Sequence, residues 1–137
     1  MTDSKPVVRF VNPPEIAHSA VYTHVVETTA RRTVYISGQV ALDKEGNIVC
    51  ENDLYAQTVQ VCENIKYALA AVGATYAHVI KLNTFMLDIT QVQILRDVRR
   101  QYVNTETPPA STTVEVSRVF RPGLLIEMDA IAVLADE

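Results

Sequence analysis

Tryptophan is absent from the 137 residues, and glycine (4), methionine (3), histidine (3) and cysteine (2) are scarce. So little glycine excludes collagen-like and glycine-rich repeats. Cys50 and Cys62 form no Cys-x-x-Cys pattern, and His18, His24 and His78 are scattered. The short paired spacings of a zinc site are missing, so no metal and no cofactor are expected. No apolar run approaches about 18 residues, and no charged-then-apolar leader opens the chain. The expectation is a cytoplasmic protein with no membrane partner and reduced cysteines, Cys62 being a small inert side chain on a helix. Positive charge is also short. The net charge is −4 and the pI near 5.3, and Arg31-Arg32 and Arg99-Arg100 are isolated doublets. That balance argues against a sequence-independent nucleic-acid binder.

What is present is a foldable composition. Hydrophobic residues make up 48% and charged residues 20%, in a length suited to one domain over 1–137. Met1 to Lys5 is polar and expected to fray. Val7–Val11 reads as a short strand stopped by Asn12-Pro13-Pro14. Ala20–Glu27 reads as a second strand and Thr33–Ser37 as a third, joined by a hairpin loop over residues 28–32. Gly38-Gln39 is expected to break that strand, and Asp43 to Asn47 to form a polar turn.

Leu54, Thr58, Val61, Ile65, Leu69 and Val72 recur at helical spacing, with Asn52 as the expected cap and Gly73 as the stop. His78–Leu87 alternates as a strand with one buried face. Thr90 and Gln93 fit a capping box for a second helix striped by Val92, Leu95, Val98 and Tyr102. The chain closes on two β-rich runs, from Thr113 to Ser117 and from Ile126 to Val133. They flank Arg121-Pro122-Gly123 and are expected to pair, antiparallel. Glu127 and Asp129 share a face of the second run, which places that face near water, a partner or a cleft. The order ββ(β)αβαββ predicts an α+β domain, a mixed sheet with both helices on one face. The other face needs water or a partner.

Residues 109–134 also carry a specific likeness. Pro109-Ala110, then Val114-Glu115-Val116, the Pro122-Gly123 turn and Ile126-Glu127-Met128-Asp129-Ala130-Ile131-Ala132 closely resemble the C-terminal signature of the YjgF/RidA family. The match runs back through Tyr35-Ile36-Ser37-Gly38-Gln39-Val40 and covers roughly residues 20 to 134. The resemblance implies a chorismate-mutase-like fold, a homotrimer and small-molecule clefts between subunits. It implies hydrolysis of enamines or imines derived from amino acids. Some members have been described as ribonucleases that inhibit translation, which the acidic balance disfavours here.

By resemblance, Asp129 is the acid that positions the attacking water. Tyr22 and Phe85 wall the pocket, and the Gly38-Gln39 loop faces the ligand. One position departs. Where deaminating members carry an arginine that grips the substrate carboxylate, this chain has Ser111, a single uncharged hydroxyl in place of a cationic fork. Ser111 and Thr113 then line the cleft as hydrogen-bonding groups, and Arg96 on the second helix is a candidate to supply the missing cation. The other reading is a metabolite-binding or regulatory trimer without turnover.

Overall fold

The computed structural model describes residues 7–29 and 32–135. The expected frayed segment Met1–Lys5 and the loop residues Ala30 and Arg31 lie outside them. The elements run β1 (Val8–Val11), β2 (Val25–Thr28), β3 (Arg32–Val40), α1 (Leu54–Ala70), β4 (Val79–Met86), α2 (Val92–Arg99), β5 (Ala110–Glu115) and β6 (Ile126–Leu134). The main sheet has the order β3-β6-β4-β5, with β6 antiparallel to both neighbours and β4 parallel to β5. Strands β1 and β2 form a separate antiparallel pair.

The two closing strands are therefore not partners. Strand β6 presents Ile126, Met128, Ala130 and Ala132, all essentially buried, and so takes a central place where both its edges are bonded. Polar β5, Ala110-Ser111-Thr112-Thr113-Val114-Glu115, takes an edge, where solvent or another chain can meet it. The Arg121-Pro122-Gly123 turn does form, with the Leu124 amide donating to the Arg121 carbonyl at 3.3 Å and Gly123 at φ 95°. It ends a connection across the sheet rather than a hairpin.

Other expectations are corrected locally. Of the expected second strand only residues 25–27 are extended, in a strand that runs on to Thr28 and pairs with β1 rather than β3. Residues 20–24 are held as a loop by hydrogen bonds. The Thr23 amide donates to the Pro109 carbonyl (3.3 Å) and the His24 amide to Asn12 Oδ1 (2.9 Å). Strand β3 runs through Gly38 and Gln39 to Val40, absorbing them in a bulge where the register shifts between Ile36 and Gln39. His78 falls in a 3₁₀ turn before β4.

Asp53, not Asn52, caps α1. Its carboxylate accepts from the Ala56 amide at 3.0 Å, while Asn52 takes a left-handed φ of 64°. Before α2, Asp88 caps a 3₁₀ turn by accepting from the Thr90 amide at 3.0 Å, and Gln93 instead bonds Asp97. No Thr90–Gln93 box forms.

Both helices pack on one sheet face. The core between the layers is built from Val61, Ile65 and Leu69 of α1, Leu95 and Val98 of α2, and Leu82, Met86, Ile126 and Met128 of the sheet. Polar side chains lie inside it as well, among them Gln57, Thr58 and Thr84. Gln57 of α1 is 0% exposed, donates to the carbonyls of Gly123 (2.9 Å) and Cys50 (3.2 Å), and accepts from the Leu125 amide (2.9 Å). It satisfies backbone groups that the turn into β6 would otherwise bury unpaired, and so fixes where β6 starts.

Candidate functional site

Cavities sit at both edges of the sheet. At the β5 edge, the register pairs Leu82 with Ser111 and Thr84 with Thr113, so Ser111 and Thr113 point to the helix side. There they meet the last turn of α2. Arg96 and Arg99, three residues apart, share one helix face. Nη1 of Arg99 donates to the Ser111 hydroxyl at 3.1 Å, and Arg99 is only 7% exposed. Burial, then the neighbouring charge of Arg96, pulls the Arg99 pKa down.

With Val21, Tyr22 and Val92 these residues line a cavity of about 190 Å³. An adjoining cavity of about 240 Å³ shares Val21, Arg96 and Arg99 and adds Gln93, Arg100 and Thr105. Arg100 pairs with Asp97 at 3.0 Å. Arg96 and Arg99 have no carboxylate partner among the described residues.

At the β3 edge, Gly38, Gln39, Val40, Gln60, Asn64, Phe120 and Glu127 line part of an open cavity of about 610 Å³. Glu127 packs directly over Gly38. A Cβ at position 38 would collide with its carboxylate, so any larger residue there would push the Glu127 side chain aside. Asp129 is engaged elsewhere, its carboxylate accepting from Asn83 Nδ2 at 2.8 Å across the β4–β6 pair. Phe85 lies directly opposite Glu127 in the same register, on the sheet face away from the helices.

Comparison with known proteins places this geometry. The family model described as Endoribonuclease L-PSP matches residues 13–134. The chain belongs to this, the YjgF/RidA family. It is 37% identical over 112 residues to Protein DfrA of Myxococcus xanthus, covering 82% of this chain and 84% of that one. To the 2-iminobutanoate/2-iminopropanoate deaminase of Capra hircus it is 28% identical over 127 residues, covering 93% and 91%. Among solved structures, a Rid-family protein of unknown function from Yersinia pestis superposes with a TM-score of 0.82 at 34% identity, covering 93% of this chain and 98% of that one.

Of the residues the YjgF/RidA resemblance singles out, the structure gathers Tyr22, Arg96, Ser111 and Thr113 around one cavity and Gly38 and Gln39 around the other. Asp129 and Phe85 line neither of these two cavities. Two residues enter that sequence reasoning passed over. Arg99 stands in the sequence only as part of an isolated doublet, although its three-residue spacing from Arg96 puts both on one face. Glu127 was visible as half of an alternating carboxylate pair, but its contact with Gly38 shows only in the structure. No helix among the described residues is long and apolar enough to cross a membrane.

Proposed function

We propose that this protein hydrolyses the C=N bond of a small imine, or of the enamine in equilibrium with it, in a cleft completed by a second copy of the chain within a homotrimer. The observation that carries the catalytic half is the Glu127 carboxylate held over Gly38 in an open cavity, unencumbered by the Asn83 amide that occupies Asp129. Glu127, rather than Asp129, is then the group that holds and deprotonates water. The water oxygen attacks the imine carbon as Glu127 takes its proton. That proton passes to nitrogen to give a carbinolamine, and transfer of the carbinol hydroxyl's proton to nitrogen as the C–N bond breaks releases ammonia and leaves a carbonyl product. No cofactor is called for.

The need for a second copy follows from distance. Gly38 and Ser111 lie on the two edge strands, three strand spacings apart, about 14 Å. One small substrate cannot span that within a single chain. An edge-to-edge ring of copies brings the β5-side cavity of one to the β3-side cavity of the next, and Gln39, Tyr22 and Thr113 then wall a shared space. Family membership and the Capra hircus relative's printed activity support this reading.

The test is direct. An amino-acid oxidase generates 2-iminobutanoate in the presence of semicarbazide, and semicarbazone formation is followed with and without the protein. The expected result is suppression by wild type and at least about a hundredfold loss of it in Glu127→Gln, the scale of a removed general base. An inert wild type that still binds the corresponding 2-oxo acid would replace this proposal with a metabolite-binding trimer.

A further inference from the structure

We infer that Arg99, oriented by Ser111 and backed by Arg96, forms a built receptor for a short-chain organic carboxylate. The anion-gripping cation thus approaches from helix α2 instead of from strand β5. This deepens the function proposed above by naming the substrate's charge, but it stands on separate observations at the other edge of the sheet.

The first observation is cost. A buried guanidinium is tolerated where paired charge or hydrogen bonds replace its water. Arg99 is 7% exposed, yet its one hydrogen bond from the side chain goes to a neutral hydroxyl, and a second cation stands beside it. Within the chain that arrangement is unfavourable, and an anion in the cavity would relieve it.

The second is geometry. Ser111 accepts from Nη1 and so tethers one end of the guanidinium, leaving other N–H groups for a ligand. A planar fork suits the two oxygens of a carboxylate. The third is the lining. Val21, Val92 and Tyr22 give the cavity of about 190 Å³ an apolar wall, against which a short carbon chain beside the carboxylate can pack. Bare phosphate would leave that wall unused. Asp97, the nearest carboxylate on α2 in sequence, is committed to Arg100 and Gln93.

The experiment measures binding of 2-oxobutanoate, of its neutral amide and of inorganic phosphate to the full-length protein by calorimetry. The variants are Arg99→Gln, Arg96→Gln and Arg99→Gln with Ser111→Arg. Wild type is expected to bind the carboxylate at least about tenfold more tightly than the amide or phosphate. Arg99→Gln should remove that preference, and Arg96→Gln should reduce it several-fold. The double variant, which returns a guanidinium from the strand, should recover most of it.

Unchanged carboxylate affinity in a folded Arg99→Gln overturns the inference. So does phosphate binding as tight as that of the carboxylate. If Arg99→Gln fails to fold, the double variant decides, because a restored preference requires the cation and not the helix packing. Loss of turnover in Glu127→Gln with intact carboxylate preference leaves this receptor standing. Turnover whose KM is indifferent to Arg96 and Arg99 removes the receptor and leaves the hydrolase.

Discussion

Arg99 at the end of α2 and Ser111 at the start of β5 are joined by a 3.1 Å hydrogen bond, and that bond places a cation where the strand itself has none. A second cation placed on the strand should therefore crowd the one already there. Ser111→Arg would set two guanidiniums against each other beside Arg96, costing about 1–3 kcal/mol as an overpacked, like-charged cluster. Urea denaturation at fixed protein concentration is expected to show that loss, and Arg99→Gln added to Ser111→Arg to relieve most of it. Additive losses in the double variant would mean the two side chains do not share the space.

Gly38 and Gly46 should separate function from stability. Gly38→Ala puts a methyl group into the Glu127 carboxylate and should lower imine hydrolysis about tenfold or more with a modest change in Tm. Gly46 has φ 84° and open space around it, so Gly46→Ala should cost about 1 kcal/mol through backbone strain and leave turnover untouched. Equal effects on activity would dissociate Glu127 from the chemistry.

Gln57 is the polar pin of the core. Gln57→Leu keeps the volume but strands the Gly123 carbonyl and the Leu125 amide, and is expected to destabilise by about 2–4 kcal/mol. Thermal unfolding at constant protein concentration checks this. Because the lost bonds set the start of β6, turnover should fall along with stability.

Cys62 makes a pH prediction. Burial pushes its thiol up to about 12 from an ordinary value of 9.0. The unfolded chain gives up that proton first, so stability is intact below about pH 9 and falls as pH rises from there towards 12. Cys62→Ala should flatten that alkaline decline. In the native state at pH 8, a thiol reagent should modify exposed Cys50 and leave buried Cys62 unreacted until the protein unfolds.

The sequence made the long α1 stripe legible because Val61, Ile65 and Leu69 repeat on one face with no competing period. It also made the layering legible, since β4 and β6 each show one apolar face. Strand order was not readable. Alternation in β5 and β6 says which side is buried but not which strand lies between, and the long connection through Arg121-Pro122-Gly123 looks locally like a hairpin. The Gly38 bulge was equally hidden, because a glycine reads as a break until the strand on its far side is seen to continue.

At the site, Ser111 could be read as a hydroxyl lining a cleft, yet its bond to Arg99 could not. Arg99 lies twelve residues earlier on another element, and only the packing of α2 against β5 brings the two together.

The most direct measurement uses two damaged copies. Glu127→Gln and Arg99→Gln, each expected to be nearly inactive on 2-iminobutanoate, are unfolded together in equal amounts, refolded and assayed. If one cleft takes Glu127 from one copy and Arg99 from its neighbour, random assembly rebuilds about one cleft in four, so about a quarter of wild-type activity should return. A mixture no more active than the two variants refolded separately would contradict a cleft shared between copies.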